Sequence, residues 1–216
     1  MFLSRRANRL AIELDLAELQ KRTRILFVDD EDRSDVIDYL RKENWKCRQL
    51  SDIDTLENTE IKDAHIVCVD IKGVGRILHK ENEGLDLVVS IRSRYPEKKI
   101  ILYSSSPIHN IFHQANEMLD KRIYKRSGDL EVFRSAIQEL SRKCFVWSEV
   151  VSYAYGYTKP HLPNDMSQEE FAKIMTRAVL SRRNWSLGKM TRVLAAGANV
   201  AQIVQLLIQL FSSGHI

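Results

Sequence analysis

Five short β-type runs alternate with amphipathic stretches between Arg24 and about Leu140, and this alternation constrains the fold more than any other feature. The apolar residues of the intervening stretches recur at helical spacing, as Val36, Ile37 and Leu40 do. Strands that alternate strictly with helices form a parallel sheet covered on both faces. The sequence therefore predicts an α/β domain whose five parallel strands are RILFV (24–28), WKCRQL (45–50), HIVCV (65–69), KIILY (99–103) and KRIY (121–124).

The chain on either side of this segment is predicted to be helical. An apolar stripe at helical spacing precedes the first strand, and LGKMTRVLAAG and NVAQIVQLLIQLFSSG near the C-terminus carry similar stripes, each ending at glycine. We therefore expect three parts: an N-terminal helix over 1–22, the α/β domain over 23–141 and a small all-α region over 142–216.

A long apolar seam marks the start of the C-terminal helical region. From Leu130 to Ala154 apolar residues fall at alternating intervals of three and four, which is a heptad seam that outruns the sheet if the helix is unbroken. The segment GYTKPHLPND (156–165) predicts a loop, because glycine and proline stop a helix. Ser167 and Glu170 then form a capping box at the start of the next helix.

Polar side chains stand where the predicted strands end. Asp29 and Asp30 follow the first strand, Asp70 the third, Ser104 the fourth and Lys125 the fifth. With the strand order 2-1-3-4-5 these groups meet at one edge of the sheet, where ligands of such sheets bind. Two like charges about 4 Å apart repel by roughly 1 to 4 kcal/mol, so three grouped carboxylates predict a cation. Oxygen ligands with room for water and phosphate favour Mg²⁺.

With this constellation the sequence resembles the receiver domain of two-component response regulators over about residues 24–140. The matching motifs are VDDE (Asp29, Asp30), VCVD (Asp70), LYSS (Ser104) and YKRSGD (Lys125). The resemblance implies a flavodoxin-like sheet and a chain that accepts a phosphoryl group on Asp70 from a histidine kinase, a phosphotransfer protein or a small phosphodonor. It also implies that Lys125 and Ser104 contact the phosphoryl oxygens.

The resemblance further implies how Mg²⁺ would be held. Asp30 and Asp70 would ligate the ion together with the backbone carbonyl of Lys72, and Asp29 would act largely through water. Such a chain is a phosphoacceptor that catalyses its own phosphorylation and dephosphorylation, and is not otherwise an enzyme. A Mg²⁺-dependent phosphatase is the alternative, but its nucleophile usually follows the first strand with a general acid two residues later, where this sequence has Glu31.

The sequence departs from the receiver pattern in four places. Arg126 replaces the usual proline after the lysine, which predicts a trans peptide bond there. Arg122 replaces the switch aromatic, and Tyr124 beside the lysine is left as an open substitute for it. The loop DIKGVGRILHKENEG is longer than usual, and the N-terminal helix is an addition. A degenerate receiver that acts by interaction alone is therefore a further alternative.

The C-terminal region carries nine basic and four acidic residues, yet its last helix, NVAQIVQLLIQLF, has no charge. An uncharged amphipathic helix calls for burial, so we expect phosphorylation to switch partner binding or homodimerisation through helices at 130–155 and the C-terminal region. A DNA-binding transcriptional regulator is the alternative, because the basic residues suit phosphate contact.

The sequence indicates a cytoplasmic protein with few other candidate sites. No apolar run approaches the roughly 18 to 20 residues that a membrane helix needs. The three cysteines are widely spaced without a CxxC pair, which fits buried thiols in a reducing compartment. His109 and His113 stand four apart on a predicted helix, but without a third ligand nearby they do not predict a metal site.

Overall fold

The computed structural model describes residues 14–105, 114–125 and 130–180 of the chain. These residues divide into two compact units, one that ends at Phe145 and one that starts at Val146. Several predictions lie outside the described residues: most of the helix over 1–22, the helix with His109 and His113, the bond before Arg126, and both helices after residue 180.

The first unit is built on five parallel strands in the order β2-β1-β3-β4-β5. Pairing is in register along the sheet, with Val28 opposite Val69 and Asp70 opposite Tyr103. The predicted fold class and strand order are confirmed, and the predicted strands differ from the observed ones by at most one residue at either end. The strands are β1 (Arg24–Val28), β2 (Lys46–Leu50), β3 (Ile66–Asp70), β4 (Lys99–Ser104) and β5 (Lys121–Tyr124).

Helices cover both faces of the sheet and bury two separate apolar layers. On one face Phe27 and Tyr103 pack under Leu19 and Phe133, and on the other face the side chains of β3 and β4 pack under residues such as Leu87. The alternation of side chains along each strand supplies both layers. The helices of this unit are α1 (Leu16–Arg22), α2 (Ser34–Lys42), α3 (Thr59–Asp63), α4 (Gly84–Arg94) and α5 (Leu130–Cys144), with a 3-10 turn at Gln114–Glu117.

The heptad seam predicted from Leu130 to Ala154 is not one helix. Helix α5 ends at Cys144, Val146 is extended, and α6 (Trp147–Thr158) begins a new helix. The ring of Phe145 packs 5.2 Å from that of His65, centroid to centroid, and this contact with the first unit accompanies the turn of the chain out of the helix. The predicted interface over 130–155 is therefore interrupted in the middle.

The second unit begins with the helix pair α6 and α7 (Gln168–Leu180), joined by a 3-10 turn at Lys159–His161. The loop predicted to start at Gly156 starts later, because α6 continues to Thr158, whose hydroxyl donates to the carbonyl of Ala154 at 2.7 Å. The predicted cap of α7 is present, since the hydroxyl of Ser167 accepts the N–H of Glu170 at 3.1 Å. In the ranges described, no helix is both long and apolar enough to span a membrane.

Candidate metal centre at the carboxyl edge of the sheet

Three aspartates meet where β1 and β3 end. Asp29 and Asp30 directly follow β1, and Asp70 is the last residue of the neighbouring β3. One carboxylate oxygen from each lies within 4.8 Å of the others. The predicted grouping of acids is therefore observed, and this set of oxygen donors suits a hard divalent cation such as Mg²⁺.

Asp29 is fully buried and already bound by protein donors. Its Oδ1 accepts the N–H of Glu31 at 3.0 Å, and its Oδ2 accepts the hydroxyl of Tyr103 at 2.9 Å and the ammonium of Lys125 at 2.9 Å. A buried carboxylate needs such partners, because desolvation of an unpaired charge is costly. Asp70 has two donors, the N–H of Ile71 at 2.8 Å and Lys125 at 3.1 Å, against three on Asp29, so Asp70 and the exposed Asp30 are the better placed direct ligands.

Lys125 joins the carboxylates of two strands. Its Nζ lies 2.9 Å from Oδ2 of Asp29 and 3.1 Å from Oδ2 of Asp70, and 4.8 Å from the centroid of the Tyr103 ring. Burial raises the pKa of Asp70 and the charge of Asp29 raises it further, whereas Lys125 lowers that pKa. The lysine thus offsets part of the repulsion that the acids create.

The two remaining predicted site residues lie at the end of β4 and in the loop after β3. Ser104 is the buried last residue of β4, and its carbonyl accepts the N–H of Lys125 at 2.7 Å, which fixes the lysine beside the end of β4. Lys72 is exposed and stands two residues after Asp70. The structure therefore brings Asp70 and Lys125 into contact, with Ser104 adjacent to them through the backbone.

The long loop after Asp70 is held by two carboxylates. Asp52 accepts the N–H groups of Gly75 at 2.5 Å and Ile77 at 3.0 Å, and Glu83 accepts that of Gly73 at 3.0 Å. Gly73 has a φ of +85°, and a Cβ on it would lie 2.1 Å from Cγ of Asp30. The loop therefore passes directly beside a candidate metal ligand, which only glycine permits at this point.

Sequence reasoning missed the residues that support this edge. Gln49 on β2 donates to the carbonyls of Asp29 at 3.0 Å and Glu31 at 2.6 Å and so fixes the turn after β1. Tyr103 was missed because it stands inside an apolar strand, although a polar tip on a buried aromatic residue is itself a signal of a hydrogen-bond partner. The anchoring role of Asp52 had no signal in the sequence, because the loop that it binds is distant along the chain.

Comparisons with known proteins found similar chains among the solved structures. No protein-family model and no curated protein matches the chain. Solved structures of receiver domains are similar to it over about 55% of its length. One is the response regulator TrrA from Thermotoga maritima, in complex with Mg²⁺ and BeF, at 21% identity, covering 55% of this chain and 98% of that one, with a TM-score of 0.45.

Two further solved structures show the same extent of similarity. A CheY-like receiver domain protein from Methanospirillum hungatei JF-1 is 20% identical and covers 56% of this chain and 98% of its own, with a TM-score of 0.43. The receiver domain of NtrX from Brucella abortus is 26% identical, with shares of 53% and 98% and a TM-score of 0.41.

Proposed function

We propose that this chain is a response regulator whose receiver accepts a phosphoryl group on Asp70. The observation that carries the proposal is the contact of Lys125 with Asp70 at 3.1 Å, within a cluster of three carboxylates at the carboxyl edge of a 2-1-3-4-5 sheet. An acid at the end of one strand is common, whereas a nucleophile, two further acids and a lysine from three strands serve phosphoryl transfer together.

The reaction is a displacement at phosphorus. An oxygen of Asp70 forms the new bond to phosphorus as the bond to the donor breaks, and for phosphohistidine the imidazole nitrogen keeps that electron pair and takes a proton from solvent. Mg²⁺, when bound by Asp30 and Asp70, supplies positive charge toward the phosphoryl oxygens. Lys125 leaves the carboxylates for the phosphoryl group, and the hydroxyl of Ser104 donates to it.

We also propose a source of the phosphoryl group and a region that responds to it. A histidine kinase or phosphotransfer protein in the cytoplasm supplies the phosphoryl group, and the helical region from Val146 onward changes its partner or its self-association in response. The buried contact of Trp147 Nε1 with Thr176 Oγ1 at 3.0 Å supports a packed helical module in that region. For DNA binding as the alternative output, a salt titration decides: no affinity for DNA at low salt removes it.

Intact-mass measurement after incubation with acetyl phosphate and Mg²⁺ tests the proposal. We expect the wild type to gain the mass of one phosphoryl group and Asp70→Asn to gain none. Asp35→Asn, at an exposed position in the first turn of α2, is the matched control and should be labelled like the wild type. A wild type that is neither labelled nor turns over phosphate esters indicates a degenerate receiver, whereas steady turnover of phosphate esters without an adduct indicates a phosphatase.

A further inference from the structure

An aromatic residue of β4 contacts two charged residues of the candidate metal centre. Tyr103 is fully buried, its hydroxyl donates to Oδ2 of Asp29 at 2.9 Å, and its ring lies 4.8 Å from Nζ of Lys125. The same side chain thus holds an acid through its polar tip and a cation over its face. On β5, Arg122 is exposed and donates to Asn116, so β4 supplies the aromatic residue that contacts the centre.

The Tyr103 ring also packs against helix α5. Its centroid lies 5.4 Å from that of Phe133 at an interplanar angle of 82°, an edge-to-face contact, and Phe27 of β1 lies 6.2 Å away. Phe133 stands in the first turn of α5 and is 2% exposed. Packed interiors transmit displacement because they leave no space to absorb it. Tyr103 therefore connects the charged groups of the centre to α5 through two direct contacts.

We propose that Tyr103 is a positioning residue that sets the balance of Lys125 between Asp29 and the reacting group and passes the change to α5. While its hydroxyl occupies Oδ2 of Asp29, Lys125 shares that oxygen with a second donor. Without the hydroxyl, Lys125 is the one hydrogen-bond donor left on Oδ2 among the described side chains, with Nε of Arg33 at 3.8 Å, so Lys125 is held there more tightly and is released less readily. This inference rests on the proposed function and adds a structural connection between Asp70 and α5, the last helix of the first unit.

Tyr103→Phe separates the hydroxyl from the ring, and Tyr95→Phe is its matched control. Tyr95 donates a hydroxyl hydrogen bond of 2.7 Å to the carbonyl of Leu56, away from the acidic cluster. We expect Tyr103→Phe to slow labelling by acetyl phosphate at saturating Mg²⁺ by about tenfold, since hydrogen bonds to charged groups are among the stronger ones. Tyr95→Phe should stay within about twofold of the wild type, although removing either hydroxyl lowers thermal stability.

Hydrogen exchange of the α5 backbone amides distinguishes a positioning role of Tyr103 from a merely structural one. We expect Mg²⁺ with beryllofluoride to change exchange across 130–144 in the wild type and in Tyr95→Phe, but not in Tyr103→Phe. Labelling of Tyr103→Phe at the wild-type rate, with an unchanged α5 response, overturns the inference.

The same proteins distinguish failure of the inference from failure of the proposed function. If the wild type accepts no phosphoryl group, the proposed function fails, and exchange measured with Mg²⁺ alone still decides the role of Tyr103. An α5 response to Mg²⁺ that is lost only in Tyr103→Phe supports the inference. A response equal in all three proteins, or absent from the wild type, overturns it.

Discussion

Replacing Gly73 by alanine should weaken Mg²⁺ binding while costing no more stability than a matched change two residues away. Both Gly73, with a φ of +85°, and Gly75, with a φ of +79°, occupy the left-handed region, where a Cβ costs roughly 1 to 2 kcal/mol. At Gly75 the nearest atom to the added Cβ is the carbonyl oxygen of Glu83 at 3.0 Å, whereas at Gly73 it is Asp30, with Cγ at 2.1 Å. The two variants therefore share the backbone strain and differ in what the methyl group displaces.

The displacement at Asp30 sets the expected loss of affinity. Carbon atoms in contact are about 3.5 to 4 Å apart, so the carboxylate has to retreat by more than about 1 Å from its position in the cluster. Mg²⁺ requires near-ideal octahedral geometry, and a ligand moved this far no longer completes it. We expect Gly73→Ala to weaken Mg²⁺ binding at least about tenfold, which corresponds to about 1.4 kcal/mol.

Calorimetric titration of both variants with Mg²⁺ measures the affinity for the ion, and urea denaturation measures the free energy of unfolding. We expect similar losses in the free energy of unfolding for Gly73→Ala and Gly75→Ala, with wild-type Mg²⁺ affinity kept only by Gly75→Ala. Equal Mg²⁺ affinities in the two variants would refute the reasoning, because they would show that Asp30 does not hold the ion from its present position.

Two further predictions concern stability away from the centre. Burial lowers the pKa of His65 from 6.5 to about 4, with neighbouring positive charges adding to the effect. The unfolded chain therefore takes up the proton first, and the stability present above about pH 6.5 falls as the pH drops, by about 2 kcal/mol at about pH 5. His65→Asn keeps an acceptor for the N–H of Arg24 but does not titrate. Urea denaturation of this variant should therefore lack the fall in unfolding free energy between about pH 6.5 and pH 5, whereas a variant of the exposed His161, His161→Asn, should show the same fall as the wild type. The partly buried guanidinium of Arg92 pairs with Asp120 and donates to three backbone carbonyls. Arg92→Met should lower the free energy of unfolding by about 3 to 5 kcal/mol in the same assay, and a loss below about 1 kcal/mol would contradict the assigned role of this pair.

The central strands β1, β3 and β4 were predictable because each is an apolar run, as a strand with two covered faces requires. β1 and β5 have the bounds that their residue patterns predict, and the acids at the strand ends met because parallel strands end at one edge. The C-terminal part of the chain was less predictable, since a heptad pattern records which residues share a face and does not record a break. The break follows Cys144, where the ring of Phe145 packs on His65, a residue 80 positions earlier that no local pattern reveals.

The centre itself was predicted by residue type, and its supports were not. Asp29, Asp70 and Lys125 carry charge at strand ends and therefore stand out in the sequence. Tyr103 and Gln49 act through hydrogen bonds to partners on other strands, at sequence separations of 74 and 20 residues. Their function depends on which strands become neighbours, and that information is present only once the sheet is assembled.

The way Asp52 and Glu83 hold the long loop has a consequence for its evolution. Both carboxylates bind backbone N–H groups, which every residue except proline provides, so most of the contacts that order the loop do not depend on the side chains between Gly75 and Glu83. The exposed Ile77 is free to diversify without loss of the loop's path, whereas the side chain of Arg76 donates to Glu83 at 3.0 Å. A segment whose course is fixed by its backbone while its surface can vary is suited to acquiring new recognition properties beside a cluster of charges that needs its own geometry unchanged, as Asp30 does next to Gly73.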